Sequence, residues 1–183
     1  MKKILLFLST IFFTSCNSQT KFDLEKVLQM DREDMIVMEI DTYLNEKSKY
    51  GEEMEKLNSS QRVLLIIENL EREVNNGGFH QFYWNSSGDY AMETVTALKQ
   101  IGATKTAGVV KKANDQFPNG AVPEDRDKRG EILDLISEKS SEYWNTLDIK
   151  FYGPNKESGE WEIDDLPNLL IKFIKANKGD FEK

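Results

Sequence analysis

Apolar positions along this chain recur every three or four residues over most of its length. No stretch of useful length alternates cleanly with a period of two, so the pattern predicts helices and no sheet. Leu24, Val27 and Leu28, then Ile36, Ile40, Tyr43 and Leu44, mark one or two helices within residues 23–45. Residues 47–56 are charged, contain Gly51 and read as a loop. The strongest helix comes next. Asn58 and Ser59 are N-cap residues, Asn58 with Gln61 resembles a capping box, and Val63, Ile66, Ile67, Leu70 and Val74 share one face. Asn76-Gly77-Gly78 is expected to end it, because these residues tolerate positive φ. A short turn then carries Phe79, Phe82, Tyr83 and Trp84 into the core, and residues 85–88 break the chain again.

Asp89 is expected to cap a helix over residues 90–101 with Gly102 just past its end, and Thr104 to cap a smaller one reaching about Gln116, before Pro118. Residues 119–123 read as a loop. Residues 124–147 read as mostly helical, with Leu133, Ile136, Tyr143 and Leu147 on one stripe. Residues 151–160, with Gly153-Pro154 and Gly159, form a loop. Asp164 or Asp165 with Pro167 starts the last helix, whose buried face is Leu166, Leu169, Leu170, Phe173 and Ile174 and which Gly179 ends. The expectation is an all-α fold, a single compact domain of about six or seven helices over residues 23–183, with no internal repeat.

The N-terminus departs from this pattern. Lys2-Lys3 precedes a short apolar region, residues 4–8 and 11–13 around Ser9 and Thr10, that is too short to cross a bilayer, which takes about 20 residues, and fits a signal peptide instead. The run ends at Phe13-Thr14-Ser15-Cys16, and Cys16 is the single cysteine. This resembles the lipobox of bacterial lipoproteins. The resemblance implies cleavage before Cys16, a diacylglyceryl group on its thiol and usually an acylated amino group, so residues 1–15 are a leader and 16–22 a lipidated polar tether. Two or more chains at about 0.8 kcal/mol per buried methylene anchor for good. The alternative is a plain secretory leader with Cys16 a spare thiol. Asn17 after the cysteine points, by analogy with the enteric sorting pattern, to the outer membrane of a bacterial cell envelope, without deciding its face. An exported domain with no second cysteine has no disulfide and stands on its core alone.

Composition supports a folded domain. At 183 residues, with 39% hydrophobic residues, 4 Pro and 11 Gly, the chain can bury a sizeable core and is not of low complexity. Charge adds a constraint on partners. The formal net charge of -8 drops by two more when Lys2 and Lys3 leave with the leader. An acidic surface repels nucleic acid and anionic lipid and suits a basic protein partner. The best acidic face in the sequence is Asp31, Glu33, Asp34, Glu39, Asp41 and Glu46, opposed only by Arg32; a second is Glu157, Glu160, Glu162, Asp164 and Asp165. Each also reads as a solvated helix face or an anion-favouring helix start.

The least generic stretch is residues 75–88, where Phe79, Phe82, Tyr83 and Trp84 crowd between two glycine breaks. Asn76, Gln81 and Asn85 are placed to satisfy backbone groups left free at helix ends. The residues Asn76, Gly77, Gly78, Phe79, Gln81, Phe82, Asn85, Ser86 and Gly88, followed by Ile101-Gly102-Ala103, resemble the DNA-mimic protein family, specifically its C-terminal domain of otherwise unknown function. The resemblance covers roughly residues 58–144. It implies an all-helical fold, for at least one member an acidic surface that imitates DNA and occupies a DNA-binding protein, and no enzymatic activity. Bases interleave with acids here, as at Lys111-Lys112 and Arg126-Asp127-Lys128-Arg129, whereas a mimic needs phosphate-like carboxylate spacing and few cations.

Candidate chemistry is sparse. His80, the lone histidine, could act as a general base with Asp89 or Glu93, but a histidine among aromatics also reads as structural. There is no serine elbow, zinc spacing or phosphate-binding glycine loop, and no cofactor or metal is expected. Of the tryptophans, Trp84 is expected in the core and Trp161 at the surface. The leading expectation is a lipid-anchored, non-enzymatic acidic helical module. It is held to the membrane by acyl chains on Cys16, binds another protein at the cell envelope and does not bind nucleic acid. The alternatives are an envelope enzyme built on His80 and a DNA-mimic inhibitor of a DNA-binding protein.

Overall fold

The computed structural model describes residues 22–182; the expected leader, Cys16 and the tether as far as residue 21 lie outside the described residues. Among the described residues the elements are all helical: α1 (Leu24–Val27), α2 (Glu33–Lys47), α3 (Ser59–Trp84), α4 (Ala91–Gln100), α5 (Thr104–Asn114), α6 (Arg126–Tyr152), α7 (Leu166–Ala176) and α8 (Lys178–Phe181). Three 3-10 turns intervene at 54–56, 86–90 and 118–120.

Two long helices organise the domain. α3 begins with the capping box expected of Asn58 and Gln61: Asn58 Oδ1 accepts from the Gln61 N–H at 3.0 Å, and the Gln61 side chain returns to the Asn58 N–H. Its apolar stripe, from Val63 through Leu70 to Val74, is buried. α6 starts at Asp125, whose carboxylate accepts from the Lys128 N–H at 2.9 Å, and lies along α3. α4 and α5 pack together beside α3, while α2 and α7 close the other side. Between α3 and α6 the core is aromatic. Phe79, Phe82, Tyr83, Phe117, Trp144 and Phe151 are all buried and meet edge-on, tilted or offset at centroid separations of 4.8–6.4 Å. Each such side chain contributes roughly 1.5–3 kcal/mol by leaving water. The one interior indole N–H, on Trp144, donates to the Ala113 carbonyl at 3.1 Å. α7 buries Leu166, Leu170, Ile171 and Ile174, and the Asp165 carboxylate caps it through the Asn168 N–H.

Several expectations are corrected. Asn76-Gly77-Gly78 breaks the helical geometry as expected, with Gly78 at positive φ, but a second limb of α3 resumes at once past the kink, where side chains of α6 bond the backbone groups the glycines free. Asp89 caps nothing: it lies in a 3-10 turn, Tyr90 holds the cap position, and the Asp89 carboxylate is drawn to Arg129. Thr104 is the first residue of α5, the cap position is Ala103, and the helix stops at Asn114. α6 continues to Tyr152, so Phe151 is helical and buried, since its ring meets Phe79. Tyr143 lies at the surface, 40% exposed, because residues 140, 144, 147, 148 and 151 carry the buried stripe of that half of α6. The last apolar helix ends at Ala176, and Gly179 falls inside α8. Trp84 is 49% exposed, because Phe82 and Tyr83 already take the inward positions; Trp161, 52% exposed, is at the surface as expected.

Candidate functional site

The stretch singled out by its glycines and aromatics is a joint between α3 and α6. Gly78 adopts φ 74, ψ -176, a region essentially closed to residues with a Cβ. A Cβ there would also collide with the Asp148 carboxylate. In an unbroken helix the Phe79 N–H would bond within its own turn. Here it donates to Asp148 Oδ1 at 2.8 Å, a partner 69 residues away on α6. The Tyr152 hydroxyl donates to the Val74 carbonyl at 3.1 Å, the acceptor that a regular helix would offer to Gly78. Burial pushes the Asp148 carboxyl above its ordinary range, and the Phe79 bond partly opposes that.

The outer side of the joint is tied by Glu73, one turn before the kink. Its carboxylate accepts from Gln81 Nε2 at 2.7 Å, Asn85 Nδ2 at 2.8 Å and the Ser87 hydroxyl at 3.3 Å. The end of α3 is capped by arginines. Arg129, fully buried, uses all five N–H donors: Nε to the Tyr83 carbonyl (2.6 Å), Nη1 to Pro123 (2.8 Å) and Glu124 (2.9 Å), and Nη2 to Asn85 (3.0 Å) and the Asp89 carboxylate (2.5 Å). Arg126 takes the intervening Trp84 carbonyl at 3.1 Å. Three successive carbonyls at a helix C-terminus, where orphan acceptors and negative dipole charge collect, therefore meet guanidinium groups. Gly88 is required by this packing, since a Cβ would lie 2.8 Å from the Phe82 carbonyl oxygen and from Arg129 Nε.

Motif residues Gly78, Phe79, Phe82 and Gly88 are thus buried and architectural, and Gln81 and Asn85 are tied to Glu73. Asn76, Gly77 and Ser86 face solvent. The surface the joint presents is His80 and Trp84, stacked at 6.2 Å with an interplanar angle of 11°; Trp144 meets His80 edge-on beneath them. His80 is not brought to either carboxylate considered for it: Asp89 serves Arg129, and Glu93 accepts both Arg62 Nε and Nη2 at 2.7 Å. No group of three or more His, Cys, Asp or Glu among the described residues is placed to hold a metal ion.

The acidic faces are redistributed by folding. Asp31, Glu33, Asp34, Glu39 and Glu46 are exposed, but Asp41 is not: it falls on the buried stripe with Val37, Ile40 and Leu44 and pairs with Arg72 Nη2 at 2.5 Å. Asp34 is bound by Arg32, and Glu39 and Glu46 point together from a different side of α2. The second patch also dissolves. Glu162 pairs with Lys150, Asp164 accepts from the Thr106 N–H and hydroxyl, Asp165 caps α7, and only Glu157 and Glu160 stand free.

A different row emerges on α6. Asp127, Glu131, Asp134, Glu138 and Glu142 follow one another at steps of four, three, four and four residues. That spacing puts them on one face, and all five are exposed and without an ion pair among the described residues. They span ~22 Å of helix axis, one carboxylate per ~5.6 Å, against one phosphate per ~3.4 Å along a DNA strand. Lys128 and Lys139 flank the row on the same helix. The periodicity could have been read in the sequence; Glu73, Asp148 and Arg129, whose partners are distant, carry no such signal.

No curated protein and no solved structure matches the chain. The profile of the family described as DMP19-like protein matches residues 55–177, from the turn before α3 to the end of α7. The match contains the whole α3–α6 joint and reaches well past Trp144, where the motif resemblance ends. The chain therefore belongs to the DMP19-like protein family, a DNA-mimic family.

Proposed function

We propose that this protein is a lipid-anchored, non-enzymatic helical module. It binds a basic protein partner at the bacterial cell envelope through the carboxylate row of α6, with Cys16 as the acylated anchor, in the outer membrane as Asn17 suggests. The observation that carries the reading is the row itself: five exposed, unpaired carboxylates on one helix face in a chain of net charge -8. Such a face steers a cationic protein and repels nucleic acid.

A second reading, a true DNA mimic, draws on family membership and on the regular spacing of the row. Charge density argues for the broader reading. The row carries well under the linear charge of one DNA strand, and duplex DNA presents a charge per ~1.7 Å. Lys128 and Lys139 dilute the row further.

The test is capture of envelope proteins by the detergent-solubilised lipoprotein, compared with a variant carrying D127N, E131Q, D134N, E138Q and E142Q. A basic protein retained by the parent and released by the variant is expected, with retention falling as salt rises. Equal capture by both overturns the α6 surface. Duplex DNA displacing the captured protein would favour the mimic. Mass spectrometry of the mature N-terminus should show a diacylglyceryl Cys16, and an unmodified thiol would remove the anchor.

A further inference from the structure

A cavity of ≈ 390 Å³ opens where α3, the end of α6 and the segment entering α7 converge. Its volume lies at the small end of the ~300–1,000 Å³ usual for small-molecule sites. Phe151, Ile163, Leu166 and Pro167 make its apolar walls, and Trp161, half exposed, stands at its edge. One wall is the carboxylate of Glu71, which has no hydrogen-bond or ion-pair partner among the described residues. Asp164 and Asp165 complete the lining, each with one oxygen already used, on Thr106 and on the cap of α7.

We propose that this cavity binds a primary alkylammonium group, its charge on Glu71 and its stem along the apolar walls and Trp161. The chemistry is complementary on three counts. A part-buried carboxylate without a donor is satisfied by an ammonium. Two further acids add negative potential and no cation competes within the lining. An indole face attracts a cation within about 6 Å of its centre. A neutral ligand would leave the Glu71 charge uncompensated, and an anionic one would be repelled by all three acids.

The ionisation of Glu71 gives the site a signature. Burial, and secondarily the charge of Asp165, pushes its carboxyl up to about 7. The charged groups that face it are Asp164 and Asp165 of the lining and Glu68 a turn earlier on α3, itself beside Asp41 and Arg72. An ammonium binds the ionised form, so affinity should rise with pH through that value while the ligand stays fully cationic. Between pH 6 and pH 8 the ionised fraction grows about tenfold.

The test is calorimetric titration of the intact protein with n-pentylammonium chloride and with 1-pentanol at pH 6 and pH 8. The expected result is pentylammonium binding about tenfold tighter at pH 8 and at least tenfold tighter than pentanol. E71Q, nearly isosteric, should weaken binding and flatten its pH dependence, and W161A, at an exposed position, should weaken it severalfold while keeping that dependence. The capped peptide Gly-Lys-Gly in parallel separates the sources: comparable binding identifies a lysine side chain of a partner, and pentylammonium alone identifies a free amine. Pentanol matching pentylammonium, E71Q matching the parent, or no binding at tens of millimolar would overturn the proposal. The site is independent of the α6 row, whose five-fold variant should bind pentylammonium unchanged.

Discussion

Carboxylates packed against α3 are treated in opposite ways along its length. At the kink, Asp148 accepts from a backbone N–H and Glu73 accepts from two amides and a hydroxyl. Earlier on the helix, among the described residues, Glu68 has a buried oxygen with no hydrogen-bond partner, and the part-buried Glu71 has no hydrogen-bond or ion-pair partner. Burial and the negative charges of Glu71 and Asp41 push the Glu68 carboxyl up to about 8 despite the opposing charge of Arg72. An acid supplied with donors is part of the scaffold. An acid buried without them subtracts from stability when ionised and persists only where something else favours it. The contrast separates the kink, where carboxylates build the fold, from the preceding turns of α3, where they stand without donors among the described residues.

That contrast can be broken most severely at Arg129. R129A leaves the Asp89 carboxylate and four carbonyls without their donors, and should cost about 3–5 kcal/mol in denaturant unfolding, much of a domain's total stability. A loss under 1 kcal/mol would mean the guanidinium is dispensable. G78A should cost about 1–3 kcal/mol from backbone strain alone, with the Asp148 collision added.

The other side of the comparison is sharpened by pH. A carboxyl whose folded pKa lies above its ordinary 4.5 holds its proton more tightly when folded, so stability falls as pH rises from about 4.5 to about 8 for Glu68. E68Q removes that slope. It should raise the melting temperature at pH 8 by several degrees and leave it nearly unchanged at pH 5, and equal gains at both values would show that Glu68 does not titrate in this window. The smallest effect is expected on α6. Neutralising Asp127, Glu131, Asp134, Glu138 and Glu142 should leave stability within about 0.5 kcal/mol per site, because none is paired or buried. A large loss there would make the row structural.

The helices were legible because their signals are local. The Asn58–Gln61 box, the stripe from Val63 to Val74 and the Asp165–Pro167 start each lie within a few residues, and each is present. The failures lie where a distant residue outbids a local one. Asp89 has the composition of a cap but meets Arg129 40 residues on, and Asn76-Gly77-Gly78 has the composition of a stop but Asp148 restores the helix beyond it. Asp41 sits in a run of acids along the chain, but around the helix it falls between Val37 and Leu44 and is buried with them. The α6 row was legible by the same periodicity that marks apolar stripes. The Glu71 cavity was not, since α3, α6 and the approach to α7 contribute to it from positions far apart in sequence.

The bond from Phe79 to Asp148 has a temporal consequence. Its halves are separated by 69 residues, so the second limb of α3 leaves the ribosome long before the residue that fixes it. Until Tyr152 has emerged, the Val74 carbonyl and the Phe79 amide lack their final partners, and Phe79, Phe82 and Tyr83 have nothing from α6 to close over them. Vectorial synthesis therefore delivers an aromatic-rich segment whose apolar faces lack their α6 cover while the rest of the chain is made. The domain locks only when its C-terminal third arrives.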